Sequence, residues 1–259
     1  RPPRSTLFPY TTLFRSRRVA ARVTVPAMGY ATVFVQPGRA KGESAIKATA
    51  RRLENDRLAV TFAADGRITS VHDKQAGREA VRPGGSANRL ELYEDRPYNW
   101  PAWDVCAYYK EMVPELAKLV SSRVVAEGPV FGAIEQEWSV GRSVIRQTIT
   151  LAAGTGRLDF ETFVDWREDS KMLRAAFDAN VLTDRATCEI QFGHVDRPTH
   201  ANTSWDLARF EVPAQKWVDL AETGNRVAIL NNGKYGYGFD GSTASINLLR
   251  SPDNPDPQA

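Results

Sequence analysis

The sequence predicts an all-β protein, folded as an antiparallel β-sandwich with at most one or two short helices. Apolar residues recur with a period of 2 along most of the chain, which is typical of strands that bury one face. Many short strand-like segments are separated by turn residues, and such a series favours two packed antiparallel sheets.

The predicted strands follow from this alternation and from the turns between them. Residues 57–63 and 67–72 flank Asp65-Gly66, a dipeptide that favours a hairpin turn. Segment 157–166 alternates strictly, with one face formed by Leu158, Phe160, Thr162, Val164 and Trp166. Further strands are predicted at 144–151, 226–230 and 244–249.

Two segments depart from the strand pattern. Residues 108–120 are the one plausible helix, although Pro114 weakens it because proline lacks a backbone donor. Residues 37–50, which contain Gly, Lys, Ser and Ala, are predicted to form a linker or an exposed loop.

Composition sets limits on function. The 259 residues are 42% hydrophobic, enough for one large or two medium β domains. The net charge of +3 and the scattered basic residues predict no nucleic-acid partner. No apolar run reaches the roughly 18 residues that span a bilayer, so we expect no membrane partner. Cys106 and Cys188 form no disulfide framework and favour a cytoplasmic or otherwise intracellular location.

Residues 197–237 interleave polar, aromatic and basic side chains without a clean period of 2 or 3.6. A segment built only for packing would sort apolar from polar residues, so this one is predicted to form loops and short strands. Proteins bind sugars with such sets, placing aromatic faces against C–H surfaces and fixed donors and acceptors against hydroxyls.

The same stretch resembles a known family. The segments RPTHANTSWD at 197–206, AQKWVDLAE at 214–222 and LNNGKYGY at 230–237 are similar to the C-terminal β domain of the glycoside hydrolase family 38 α-mannosidases. Further segments match in order: VPAMGYATVFV at 25–35, LENDRLAVTF at 53–62, ELYEDRPYNWPAWDV at 91–105 and LLRSPDNPDP at 248–257. The likeness covers about residues 18–259 and is greatest to the branch that includes cytosolic and vacuolar enzymes.

The resemblance implies a supersandwich-like domain of a retaining α-mannosidase that hydrolyses terminal α-mannosyl residues of oligosaccharides. It also implies that the Asp nucleophile and the ligands of a zinc or similar divalent metal lie in an N-terminal catalytic barrel. We therefore expect no catalytic residue, no metal ligand and no activity in this chain alone. Its expected partners are a mannose-containing oligosaccharide and its own barrel.

Three ranges divide the chain. Residues 1–16 contain TLFPYTTLFRS, which resembles a translated sequencing-library adapter and is excluded from the domain. Residues 17–50 are predicted to hold N-terminal strands and the linker, and residues 51–259 the C-terminal sandwich. An artefact at one end leads us to expect a fragment of a longer protein, truncated at both ends.

The family pattern fails at two positions. Pro101 stands where the family usually has the second residue of WDAWD, so one carboxylate is missing, together with any hydrogen bond that it would make near the sugar. Gln215 stands where the family usually has a histidine. Neither change affects the predicted fold.

Candidate site residues lie in irregular, aromatic segments that would line a substrate cleft or face the barrel. They are Asp95, Tyr98, Trp100, Trp103, Asp104, His194, Arg197, His200, Asn202, Trp205, Lys234 and Tyr235. We expect loop 95–104 and segment 194–205 to lie side by side, with the Arg197 guanidinium holding Asp95 or Asp104 in two hydrogen bonds. Packing of the indoles within loops is the alternative.

Other polar residues are assigned structural roles. Glu135, Glu137, Asp159 and Glu161 alternate with apolar neighbours, which predicts a solvated sheet face, although retaining glycosidases need two carboxylates about 5 Å apart. His194 and His200 are near Asp196 but lack a further ligand, so no metal site is predicted. Trp138 and Trp166 are predicted to be core residues.

Two other functions stay open at this point. The chain could be a free-standing, non-catalytic carbohydrate-binding β-sandwich module, or a structural sandwich that contacts no sugar. The coding sequence upstream of residue 17 separates these alternatives, because only the mannosidase requires a barrel with His and Asp metal ligands there.

Overall fold

The computed structural model describes residues 20–34 and 46–253 and is almost all-β, with 4% helix. Every strand pairing in these ranges is antiparallel. The strands are β1 (Lys47–Thr49), β2 (Arg52–Glu54), β3 (Leu58–Phe62), β4 (Ile68–Asp73), β5 (Arg78–Glu79), β6 (Arg89–Glu94), β7 (Glu115–Leu116), β8 (Lys118–Glu127), β9 (Phe131–Val140), β10 (Ser143–Ala152), β11 (Leu158–Asp165), β12 (Lys171–Asp178), β13 (Arg185–Ile190), β14 (Gly193–Pro198), β15 (Val212–Pro213), β16 (Trp217–Glu222), β17 (Asn225–Leu230), β18 (Gly236–Asp240) and β19 (Thr243–Arg250).

The described strands form four small sheets. Sheet I has the order β1-β2-β3-β4-β5, and sheet II the order β11-β10-β9-β8. Sheet III has the order β15-β18-β19-β12-β6-β7, and sheet IV the order β14-β13-β16-β17. Strands distant in sequence therefore meet in sheet III, where β12 lies between β6 and β19.

The prediction of a single β-sandwich is wrong, because the four sheets form a four-bladed, propeller-like ring. One apolar cluster joins sheets I and II, and a second joins sheets II, III and IV. An ion pair between Arg78 and Glu222, with N and O 2.8 Å apart, connects sheet I to sheet IV. Alternation shows that each strand buries one face, but it does not show which strands pair.

The predicted helix at 108–120 is also wrong beyond its first turn. A 3-10 helix spans Ala107–Glu111, and Met112 already has extended backbone angles. Val113 precedes Pro114, whose ring disfavours the α conformation of its neighbour. The chain then continues as β7 and β8. A second short helix, α1 (Ser204–Leu207), begins with a capping box between Thr203 and Asp206.

The predicted hairpin and core are confirmed. Gly66 has φ +83° in the turn between β3 and β4, as expected for Asp65-Gly66. Trp138 is 1% exposed in the second apolar cluster, and Trp166 packs against that cluster. The predicted solvated face is also confirmed, since Glu135 pairs with Arg123 at the surface.

Residues 20–34 belong to a separate unit. They are exposed and contain one turn, in which Gly29 N donates to the Pro26 carbonyl at 3.1 Å, but no strand. Residues 1–16 and the first part of the predicted linker lie outside the described residues. Within the described ranges, no helix has the length and apolar character to cross a membrane.

Gly66→Ala should destabilise the chain by about 2–4 kcal/mol. A Cβ atom at this position would lie 2.6 Å from the buried Trp138 ring. Overpacking costs about 1–3 kcal/mol, and positive φ at a residue with a Cβ costs about 1–2 kcal/mol. Urea unfolding measures the sum.

Gly77→Ala is the matched control, because Gly77 has φ +64° but nothing within 4 Å of the added Cβ. It should cost only about 1–2 kcal/mol, the backbone contribution alone. Equal losses for the two variants would contradict a rigid contact between the hairpin and Trp138.

Asp178 should make the stability of the chain depend on acid pH. Burial alone would raise the pKa of this carboxyl, which is 5% exposed. The Ser86 backbone N–H, the Arg89 guanidinium and the Thr243 hydroxyl all donate to it, and together they hold its pKa below the ordinary value. The stabilisation is therefore complete above the unfolded pKa of about 3.9 and is lost as pH falls through the lower folded pKa.

Asp178→Asn should cost about 1–3 kcal/mol at pH 7 and should flatten the loss of stability below about pH 4. The control Asp159→Asn removes a carboxylate from a surface ion pair with Arg157 and should cost about 0.5 kcal/mol or less. Urea midpoints measured from pH 2 to pH 7 test both. An unchanged acid slope in Asp178→Asn would refute the assignment.

Candidate functional site

Sheet III has one apolar face and one polar face. Along β12, Leu173 and Ala175 point into the second apolar cluster. Arg174 and Asp178 occupy alternate positions and therefore lie on the opposite face, where both are buried. A buried charge requires a partner, so the groups around Arg174 are fixed by its burial.

Arg174 is 2% exposed and is held from three elements. Its guanidinium donates to Glu211 just before β15, to Ser245 on β19 at 2.6 Å, and to the hydroxyl of Tyr109 in the 3-10 helix. Tyr109 donates in turn to Glu211. The helix and the Glu211 segment are thereby attached to the polar face of sheet III.

The pKa shifts agree with this network. Burial disfavours the charged form of Arg174, but the Glu211 carboxylate holds the pKa of the guanidinium above its ordinary value. Burial raises the pKa of the Tyr109 hydroxyl far above its usual range, so it remains a proton donor to Glu211. Burial lowers the pKa of Lys110, whose amino group donates to the Phe210 carbonyl at 2.8 Å.

A glycine makes room for the buried guanidinium. A Cβ at Gly238 would lie 2.6 Å from Nη2 of Arg174 and 2.8 Å from Oε1 of Glu211. Close packing against these two side chains therefore explains the glycine at position 238.

Arg250 organises the end of sheet III. It is the last residue of β19, close to the end of β6 and the start of β12. Its Nε donates to the Asp95 carboxylate at 2.6 Å, and its Nη2 donates to the Asp104 carbonyl at 2.7 Å. Asp95 is only 3% exposed, so this arginine compensates a buried charge and also holds both ends of loop 95–104.

Loop 95–104 displays aromatic rings. Trp100 and Trp103 are 61% and 68% exposed, and their rings are stacked with centroids 5.8 Å apart and an interplanar angle of 11°. Trp100 has φ +57°, and its carbonyl accepts hydrogen bonds from the amides of Trp103 and Asp104 at 3.2 and 3.0 Å. Tyr98 is also exposed.

Two grooves lie at this end of the sheet. The larger has a volume of about 550 Å³, and its lining includes Lys234, Tyr235, Glu211, Asn247 and Arg250. The smaller has a volume of about 410 Å³ and is lined by Glu94, Arg96, Tyr108 and Met112. Both volumes fall within the range of small-ligand sites.

The structure brings part of the predicted set together. Asp95 and Asp104 contact Arg250, and Arg250 shares the larger groove with Lys234 and Tyr235. Sequence analysis missed Arg250, although it lies in the quoted segment at 248–257. Arg250 could have been identified because it is a charged residue at the end of an apolar run.

The expected role of Arg197 is wrong. Its Nη2 donates to the Pro213 carbonyl at 3.2 Å, and Arg250 makes the contacts to Asp95 and Asp104 instead. The reason is topological, since Arg197 belongs to β14 at an edge of sheet IV. Among the described residues, no hydrogen bond or ion pair joins segment 194–205 to loop 95–104.

The rest of segment 194–205 serves local structure or is exposed. His194 is exposed on β14, and Asn202 donates its backbone N–H to Nδ1 of His200 at 3.4 Å. Nδ1 of His200 lies 3.6 Å from a carboxylate oxygen of Asp206, and Trp205 is 73% exposed on α1.

These histidines do not suit a metal ion. Asp196 accepts a hydrogen bond from Thr187 at 2.8 Å, and His200 faces Asp206 rather than His194. Within residues 20–34 and 46–253, no three His, Cys, Asp or Glu side chains are placed to hold a metal together.

Comparison with known proteins identifies relatives of this chain. The family model of the glycosyl hydrolases family 38 C-terminal domain matches residues 53–258. Human α-mannosidase 2C1 is 40% identical over 251 residues, which cover 92% of this chain and 24% of that protein. Dictyostelium discoideum α-mannosidase G is 37% identical over 234 residues, 88% of this chain and 21% of that protein.

Solved structures are similar in fold. A crystal structure of an α-mannosidase from Enterococcus faecalis V583 superimposes with a TM-score of 0.69 and 15% identity, covering 84% of this chain and 28% of that one. At this identity the likeness concerns the fold alone. The chain spans about a quarter of the length of the curated relatives named above.

Arg250→Met should destabilise the chain by about 2–4 kcal/mol, because it leaves the Asp95 carboxylate buried without its partner. Arg250→Lys should lose less, since it keeps the charge but not both hydrogen bonds. Arg167→Met, which breaks an exposed ion pair with Asp165, should leave the urea midpoint almost unchanged.

Urea unfolding measures these losses, and tryptophan fluorescence of the folded chain includes the emission of Trp100 and Trp103 among its six tryptophans. Equal losses for Arg250→Met and Arg167→Met, with no change in fluorescence, would show that Arg250 does not hold the loop.

Proposed function

Because the chain belongs to glycosyl hydrolase family 38 as its C-terminal domain, we propose that it is the non-catalytic domain of a retaining α-mannosidase. In this proposal, the whole protein hydrolyses terminal α-mannosyl residues of oligosaccharides. The observation that carries the proposal is the family match over residues 53–258, and the identified relatives are α-mannosidases. The chain would supply the wall of a cleft.

The end of sheet III is the surface proposed to face the catalytic domain. It combines the two grooves, the exposed indoles of loop 95–104, and the charges of Lys234 and Arg250. Partly exposed aromatic and arginine side chains are enriched at domain and protein interfaces. Arg250 holds both loop ends, through its ion pair with the buried Asp95 carboxylate and its hydrogen bond to the Asp104 carbonyl.

In this proposal, the described residues do not bind the divalent metal that the resemblance implies. His194, Asp196 and His200 do not converge. We propose that the catalytic barrel, outside this chain, binds the zinc or similar divalent ion. We also propose an intracellular location, which the free thiols of Cys106 and Cys188 support.

A non-catalytic carbohydrate-binding module is the second candidate. The observation that favours it is the exposed pair of stacked indoles, which resembles a sugar-binding surface more than a core. The coding sequence before residue 17 separates the two. A barrel-encoding reading frame supports the mannosidase, whereas an unrelated domain supports the module.

The full-length protein should hydrolyse an aryl α-mannoside, and this chain alone should not, because the nucleophile is assigned to the missing domain. Release of the aryl alcohol measures both, with and without added zinc or cobalt. Aryl α-glucoside and α-galactoside provide the substrate controls, which should be hydrolysed much more slowly.

Metal-dependent turnover by the chain alone would contradict the non-catalytic assignment. Such a result would require a new test of His194 and His200. A full-length protein without activity on any of the three glycosides would instead contradict the mannosidase proposal.

A further inference from the structure

We propose that an acidic segment of the catalytic domain binds in the larger groove at the end of sheet III, where one of its carboxylates pairs with Lys234. This inference rests on the proposed function, because it names the chemistry by which the catalytic domain would contact this surface. The occupant is a stretch of polypeptide with Asp or Glu side chains. A neutral mannose unit lacks the charge that the surroundings of this groove require.

The first argument is the position of Lys234. The side-chain oxygen of Asn231 accepts hydrogen bonds from the backbone N–H groups of Gly233 and Lys234 at 2.9 and 2.6 Å. Nδ2 of Asn231 donates to the Gln215 carbonyl at 2.9 Å, so the turn that carries the lysine is held in place. Lys234 is half-buried and lines the groove, yet its ammonium group makes no hydrogen bond or ion pair within residues 20–34 and 46–253. A partly buried cation is stabilised when a carboxylate pairs with it.

The second argument is a pair of further cations beside one wall of the groove. Residues 211–213 form part of this wall. Lys110 donates to the carbonyl of Phe210, the residue before the wall, at 2.8 Å. Arg197 donates to the Pro213 carbonyl at 3.2 Å. A carbonyl oxygen carries no net charge, and neither cation has a carboxylate of the described part of the chain within ion-pair distance.

The third argument is the charge of the lining itself. Glu211 is its acidic residue, and the buried guanidinium of Arg174 already compensates that carboxylate. Arg250 also lines the groove and is paired with Asp95. The lysine described above therefore leaves the lining with a net positive charge, which the two cations at the wall increase. Because charges across an interface are arranged to be complementary, the matching surface carries carboxylates.

The uncharged part of the lining suits a polypeptide. Leu248 and Leu249 supply aliphatic side chains, and Tyr235 is 54% exposed. Protein interfaces combine aliphatic and aromatic side chains with polar groups at their rim. The groove has a volume of about 550 Å³, which is large enough to take up side chains of a neighbouring domain.

The catalytic domain is favoured over a second copy of the chain as the source of this segment. The chain spans 24% and 21% of the lengths of the human and Dictyostelium discoideum relatives. In the proposed whole protein, the catalytic domain is therefore part of the same polypeptide. A covalent connection raises the effective concentration of the segment to the millimolar range, whereas a separate copy would have to associate from solution.

Cross-linking of the full-length protein with a water-soluble carbodiimide tests the proposal, because this reagent joins a lysine amine to a carboxylate in direct contact through an amide bond. Mass spectrometry should find Lys234 joined to an Asp or Glu outside residues 1–259. A mixture of isotope-labelled and unlabelled protein should show that both partners belong to one polypeptide. Lys118, an exposed lysine on the edge strand β8 of sheet II, is the matched control and should form no link to the same carboxylate.

Charge reversal, followed by hydrogen exchange of the full-length protein, provides a second readout. Lys234→Glu should raise the amide exchange rates of residues 210–212 and 231–236 by about ten-fold or more, because two carboxylates would then repel each other across the interface. Lys234→Arg keeps the charge and should leave these rates nearly unchanged. Lys118→Glu makes the same change of charge outside the groove lining and should also leave them nearly unchanged.

The proposal is overturned if Lys234 links only to a carboxylate within residues 1–259 or to a second copy, or if Lys234→Glu exchanges as slowly as Lys118→Glu does. A link that disappears when an α-linked mannotriose is added would assign the groove to the substrate and also overturn it. Each of these results leaves the proposed mannosidase intact, provided that the full-length protein hydrolyses an aryl α-mannoside. A link to the catalytic domain in a protein without mannosidase activity would keep the acidic segment and refute the enzyme assignment.

Discussion

The burial of one guanidinium group determines which segments pack on the polar face of sheet III. Arg174 lies in the middle of the sheet with 2% of its surface exposed, and an unpaired charge there would cost several kcal/mol. Glu211, Tyr109 and Ser245 compensate it, and each comes from a different segment. The 3-10 helix and the segment before β15 must therefore lie on the sheet, and Glu211 forms part of the larger groove.

A second arginine transmits this rigidity to the surface. Arg250 ends the strand that carries Ser245, so its position is set by the paired strands of sheet III. From there it compensates the buried Asp95 and holds the Asp104 carbonyl. Loop 95–104 is thus fixed at both ends by groups that cannot move without exposing a buried charge. Only a loop restrained in this way can hold a strained tryptophan.

The sequence predicts the strands well because burial of one face imposes alternation on each of them. The Asp65-Gly66 hairpin and the core position of Trp138 follow from such local rules. Pairing between distant strands does not, since β12 meets β6 and β19 through tertiary packing, and the single sandwich was therefore wrong. The prediction of the site was limited in the same way, because contacts between distant strands do not follow from local patterns. An arginine partner for Asp95 or Asp104 was predicted, but it was assigned to Arg197 as two hydrogen bonds to one carboxylate. Arg250 instead makes one hydrogen bond to the Asp95 carboxylate and one to the Asp104 carbonyl. Arg197 and Arg250 cannot be distinguished without knowledge of which sheet each belongs to.

Two exposed aromatic residues at positive φ have different physical explanations. Phe192 lies in the two-residue connection between β13 and β14, where Ile190 pairs with Gly193, and tight hairpins of this length require positive φ. Trp100 lies in no hairpin, and glycine or asparagine would meet the needs of its turn at lower cost. Packing against the described residues does not explain the indole either, because most of it is exposed. What remains is the position of the ring itself, stacked nearly parallel to the ring of Trp103 on the surface of loop 95–104.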